Sequence, residues 1–236
     1  MNNEQHISSA YDRDLDNIQT LIIKMGGLVE QAILQSGEAL ATRDVALAET
    51  VRAGDKVIDA LELQINEEAA RTIALRAPVS KDLRSLLTTL RIAASLERVG
   101  DYSKNIAKRT SALTDTAPLH GSDKALTRMS REVQAMLKDV LDAYLRNDAA
   151  LAEQVRQRDQ DVDQMYNALF REFLTFMMED PRQITGCMHL HFVAKNIERM
   201  GDLVTNVAEQ IIYQVTGEMP DDERPKDDQT SYVSEL

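Results

Sequence analysis

LERVGDYSKNI, residues 96–106, has a near-copy in IERMGDLVTNVAE, residues 197–209. Residues four apart on a helix lie one above the other on the same face. Glu97, Asp101 and Asn105 therefore form a row of oxygen-bearing side chains, and Glu198, Asp202 and Asn206 form the matching row in the copy. Carboxylates at i and i+4 repel one another and weaken a helix unless a cation sits between them. Each pair is accompanied by the same neighbours: an Arg after the Glu (Arg98, Arg199), a Gly before the Asp (Gly100, Gly201) and an Asn one turn on. So many coincidences mark an internal repeat of a helical unit.

Hydrophobic spacing around these stretches gives an all-α chain of six long helices. In the first, over 8–41, Tyr11, Leu15, Ile18, Ile22, Met25, Val29, Ala32, Ser36 and Ala39 step alternately by four and three, the seam of a bundle helix. Gly26 and Gly27 fall inside that period without shifting its phase, so they cost propensity but do not end the helix. Asp44 is the expected N-cap of a second helix over 45–76. Pro78 breaks the pattern, Ser80 is placed to cap the restart, and a third helix follows over 81–114. Pro118, His120 and Gly121 mark a link. Beyond it come helices over 122–146, 149–178 (N-cap Asp148) and 184–215, the last two separated at Pro181. No segment shows the alternation of strands.

The repeat reaches beyond the opening motif. RDVALAETVRAGDKVIDALE (43–62) aligns with NDAALAEQVRQRDQDVDQMY (147–166) at an offset of 104, whereas the opening motifs are offset by 101. Three residues are thus missing from the second copy, near the junction of the fifth and sixth helices. The expected fold is two tandem three-helix bundles, residues 8–116 and 122–216, related by approximate two-fold symmetry, with an acidic tail over 217–236 read as disordered.

The totals agree with a soluble helical protein. The 236 residues are 43% hydrophobic and 4% aromatic with no Trp, and no run is long and apolar enough to span a bilayer. Stacking platforms for single-stranded nucleic acid are lacking. The formal charge of −12 makes a phosphate backbone an unfavourable direct partner. The tail's seven acids against Arg224 and Lys226 account for −5 of it, which leaves the body at −7, so cations are the natural ligands. The lone Cys187 fits a reducing cytoplasm and reads as a small packing residue.

The second and fifth helices add acids at corresponding places. Asp55, Asp59 and Glu62 stand in one row; Asp159 and Asp163 stand in the other, with Tyr166 where the first copy has Glu62. In an antiparallel trio these rows face the Glu/Asp/Asn rows of the neighbouring helix. Oxygen donors without Cys or His suit hard cations, Mg, Ca, Mn or iron, better than zinc. The competing reading is solvated faces carrying ordinary ion pairs. In the sixth helix Glu198 and Asp202 lie one residue round from the seam Leu190, Val193, Ile197, Met200, Val204, Val207, Ile211, about 100° away. That placement predicts acids bordering the core in a groove open to solvent. Catalytic patterns are poor: no acid is followed three residues on by His, as ferritin-like oxidases require, and His189 and His191 point to opposite sides. Met177 and Met178 read as core packing near a helix end.

With both ER(V/M)GD motifs on matched helices, and with MGGLVEQA (25–32), PVSKDLRSL (78–86) and FMMEDPR (176–182), the chain resembles the PhoU family over about residues 8–216. The resemblance implies two three-helix bundles and metal binding at E/D-xxx-D motifs, multinuclear iron included. Those motifs correspond here to Glu97/Asp101 and Glu198/Asp202; Asp55, Asp59, Asp159 and Asp163 extend them. It implies a non-enzymatic, cytoplasmic negative regulator of the phosphate-starvation response. Such a regulator stands between the ATPase subunit of a phosphate ABC transporter and a phosphate-sensing histidine kinase, and meets the membrane only through these partners. The long apolar seams point to a homodimer. The alternative is a metal-storing or metal-dependent hydrolytic bundle.

Overall fold

The computed structural model describes residues 2–114, 116 and 121–220, with side chains from residue 11 onward. It contains α1 (Asn2–Thr42), α2 (Val45–Arg76), α3 (Lys81–Leu113), α4 (Ser122–Arg146), α5 (Ala149–Glu179) and α6 (Ile184–Thr216), with a 3-10 turn (Pro181–Gln183) before α6. No strand occurs among the described residues. The expected acidic tail lies, from residue 221, outside them, as do Pro118 and His120 of the expected link.

The turns between the first two helices of each trio are built alike. Arg43 and Asn147 both take the left-handed conformation (φ 55° and 51°), and the next residue, Asp44 or Asp148, caps the following helix. The Asp44 carboxylate accepts from the Leu47 N–H at 2.9 Å, and the Asp148 carboxylate from those of Ala150 and Leu151 at 3.0 Å. Asn tolerates a positive φ better than Arg does. Arg43 compensates by donating to the Leu113 carbonyl at 2.6 Å and to that of Thr116, tying the turn to the end of α3.

Ser80 departs from expectation. Its φ of 49° and ψ of −112° depart from the extended backbone of an N-cap, and it makes no side-chain cap. Its carbonyl accepts from the Arg84 N–H at 3.0 Å, and the Val79 carbonyl from Asp82, so backbone alone closes the start of α3. The three-residue deficit of the second copy is taken up by the helix ends. Relative to the first trio, α5 stops one residue sooner and α6 starts two later.

Within each trio every helix packs on both others, and the two trios meet along α1–α4 and α3–α6. One apolar cluster runs through all six helices. It includes Ile22 and Met25 of α1, Ile65 of α2, Leu96 and Val99 of α3, Met136 of α4, Phe173 of α5 and Met200 and Val204 of α6. Cys187 is buried within it, as expected of a packing residue. Met177 packs against the cluster, but Met178 is 84% exposed, contrary to the expectation: successive residues of a helix turn by about 100°, which carries position 178 onto the outer face.

Candidate metal centre

Helices α3 and α6 carry the two motifs along the seam between the trios. Ser103 donates to the Met200 sulfur at 3.6 Å, and the Arg199 guanidinium lies 5.9 Å from the centre of the Tyr102 ring. From this seam each acidic row faces the second helix of its own trio, α2 or α5.

The glycine before each motif Asp makes that approach possible. A Cβ at residue 201 would stand 3.1 Å from Asp159 Oδ1 and 3.3 Å from a Val162 methyl. At residue 100 it would stand 3.0 Å from the Ile58 terminal methyl, with Asp55 Oδ1 at 3.9 Å. Asp55 and Asp159 are thus held against corresponding points of the two motifs, as the alignment predicts.

In the first trio the acids share one electrostatic neighbourhood. Glu97 holds its proton more tightly than an ordinary Glu, first because burial disfavours its anion, then because Asp101, Glu62, Asp59 and Asp55 repel it. Asp59, though exposed, is raised too, by burial of its charge and by Asp55 above all. Asp55 is only 4% exposed, and its Oδ1 has no hydrogen-bond partner. Its Oδ2 accepts from the Lys104 ammonium at 2.5 Å, and Asp101 Oδ1 accepts from the same ammonium at 2.8 Å. Asn105, one turn beyond, is exposed.

The second trio differs. Asp159, Asp163 and Glu198 are buried, while Asp202 and Asn206 are half-buried. Glu198, 5% exposed, therefore corrects the expectation of a solvent-open groove. The seam fixes the direction in which Glu198 points from α6, but α5 covers that side. Lys195 donates to Glu198 Oε1 at 2.9 Å, and its ammonium sits 4.8 Å from the centre of the Tyr166 ring. His191 stacks near Tyr166 and Phe170, and its imidazolium is disfavoured first by burial and then by Lys195. His189 instead meets Arg109 at 3.2 Å, so both histidines serve packing rather than a shared ligand set.

These residues suit a hard cation in donor chemistry, and the buried, unpartnered Asp55 oxygen is the kind of group a cation satisfies. The carboxylates feel one another without converging. Among the described residues no group of three or more His, Cys, Asp or Glu side chains is arranged to hold a metal ion.

Two stretches of the chain, residues 22–110 and 126–211, match the family model described as the PhoU domain. The chain belongs to the PhoU family. Among its PhoU relatives, the phosphate-specific transport system accessory protein PhoU homolog of Rhizobium meliloti is 48% identical over 231 residues, 98% of each chain. The homolog of the same description from Caulobacter vibrioides is 46% identical, over 94% of this chain and 96% of that one. The crystal structure of PhoU from Pseudomonas aeruginosa superposes with a TM-score of 0.85 at 35% identity, covering 88% of this chain and all of that one. The phosphate transport system regulatory protein PhoU from Streptococcus pneumoniae gives a TM-score of 0.83 at 29% identity, over 89% and 99% of the two chains.

Against this PhoU framework, the groups missed from sequence are the two lysines. Lys104 follows Asp101 by three residues and Lys195 precedes Glu198 by three. That spacing alone identifies a pairing cation. A concavity of about 350 Å³ also opens beside the PVSKDLRSL turn, lined by Lys81, Asp82 and Ser85 and by Gln214 of α6. It lies apart from the acidic rows.

Proposed function

We propose that this chain is a non-enzymatic accessory protein of phosphate uptake. In this reading it is a cytoplasmic negative regulator of the phosphate-starvation response, working as an adaptor between the transporter's ATPase subunit and a phosphate-sensing histidine kinase. The observation that carries the proposal is likeness over nearly the whole length to proteins named for that transport system. Its acidic charge and the lack, among the described residues, of any helix long and apolar enough to cross a membrane support contact with the membrane through partners. A homodimer is part of the same reading. Deleting the gene is expected to leave alkaline phosphatase switched on in phosphate-rich medium; a deletion strain that keeps it off overturns the regulator role. Capture of the ATPase and the kinase from membranes on the immobilised chain tests the adaptor role.

The proposal includes a hard divalent metal, or a multinuclear one, held by Glu97 and Asp101 with Asp55 and Asp59, and by Glu198 and Asp202 with Asp159 and Asp163. Such an ion would neutralise carboxylates crowded on facing helices. The carboxylate-only donor set and the unpartnered Asp55 oxygen support it. Asp101→Ala and Asp202→Ala are each expected to lower the bound metal measured by elemental analysis; unchanged stoichiometry removes the metal sites from the proposal.

A further inference from the structure

Resting on that metal reading, we infer that Lys104 is the resident cation of the first acidic row, and that a divalent ion enters this row only by displacing it. The ammonium spans the gap between helices, 2.5 Å from Asp55 Oδ2 and 2.8 Å from Asp101 Oδ1. These are the two acids, one per helix, that a bridging metal would have to draw together.

Both ends of this contact favour a lysine that stays until something stronger replaces it. Asp55 is buried with its other oxygen unsatisfied, so withdrawing the ammonium with nothing in exchange leaves a bare carboxylate in the interior. The lysine is bound on one side only. Its side chain is 39% exposed, on a flexible four-carbon stem that can swing into water without unfolding α3. A divalent ion brings twice the charge, and can take both Asp55 oxygens as well as Asp101.

The second trio places its lysine differently. The residue matching Lys104 is Thr205, whose hydroxyl donates to the Gly201 carbonyl at 3.1 Å. Its lysine, Lys195, stands at the place matching Ala94, pairs with the motif Glu and lies over the Tyr166 ring of α5. The two rows therefore differ in what a metal must displace, and Lys104 sets the affinity of the first.

The test is a titration of the metal-free full chain with Mn²⁺, read by calorimetry and by loss of the free-ion electron paramagnetic signal. Lys104→Met is expected to tighten binding at one site at least tenfold, or to add one equivalent. Asp55→Asn combined with Lys104→Met is expected to abolish that gain. Lys104→Gln, which keeps a polar tip, serves if the Met variant unfolds, and circular dichroism checks both. Unchanged affinity and stoichiometry in both Lys104 variants overturns the inference. If the wild type then still binds Mn²⁺ in a way that Glu198→Gln or Asp202→Asn removes, the metal reading stands without it. If no form of the chain binds Mn²⁺, both fall.

Discussion

Apart from the buried Asp55, the acids of α2 and α3 stand at the edge of solvent around a shared lysine, whereas their counterparts on α5 and α6 are largely enclosed. The sequences of the two rows differ little, and the substitution that matters is Tyr166 for Glu62. An aromatic ring at that place is buried, roofs the row and takes Lys195 against its face, where the first copy keeps a half-buried carboxylate. Duplicating a motif therefore copies its geometry but not its surroundings. One neighbour decides whether a carboxylate behaves as a surface charge or as part of the interior.

Three measurements would sharpen or break this contrast. The largest effect is expected from Glu198→Gln. Removing the buried anion leaves Lys195 half-covered beside Tyr166, and breaking a buried pair costs about 3–5 kcal/mol. Since Lys195 is 28% exposed and solvent screens part of the loss, about 2 kcal/mol is expected, a fall in Tm of roughly 6 °C for a chain of this size. The matching Glu97→Gln removes a mutually repelling charge. It should leave Tm unchanged or raise it by about 1 °C at neutral pH, near 0.3 kcal/mol. Equal losses in the two variants would erase the distinction between the rows.

Next come the motif glycines. Gly201→Ala gains roughly 1 kcal/mol of helix propensity but drives a methyl against a buried carboxylate, with overpacking costs of about 1–3 kcal/mol. A net loss near 1 kcal/mol is expected in urea unfolding. Gly100→Ala meets mainly the end of the Ile58 side chain, which can yield, so its net change should lie within about 0.5 kcal/mol of zero. A larger loss at 100 than at 201 would mean that the first row is the more rigid one.

The smallest effect is one of pH. Glu97 has its proton affinity raised from the unfolded value of 4.5 on folding, first by burial and then by its acidic neighbours. The folded state therefore binds the proton more tightly than the unfolded state does. Its contribution is fully present below pH 4.5 and is lost as pH rises through the higher folded value. Glu97→Gln should gain stability relative to wild type by a few tenths of a kcal/mol between pH 4 and pH 7. A gain that shrinks over that range would show that Glu97 is stabilised as an anion.

Much of this architecture was legible in the chain itself. The four-and-three spacing and the Asp44 and Asp148 caps placed the described helix boundaries from α2 onward to within a residue, because periodicity and capping are local properties. Pairing of Asp55 and Asp159 with the two motifs was legible too, through the alignment. What escaped depended on neighbours distant in sequence. The burial of Glu198 and the exposure of Met178 are decided by which face of each helix its neighbours cover. Lys104 was visible at the right spacing from Asp101, but its reach to Asp55 depends on how closely α2 approaches α3. Ser80 failed as a cap because the chain leaving Ala77 and Pro78 arrives with a positive φ.

The seam between α3 and α6 carries a last consequence, for ancestry. A chain holding a single trio would present Val99, Ser103 and the rest of that helix face to water, and would have needed a second copy of itself to cover it. Fusing two such chains would make the partnership permanent. It would also free each half from having to match itself, so that one can carry a tyrosine where the other carries a lysine across its carboxylates.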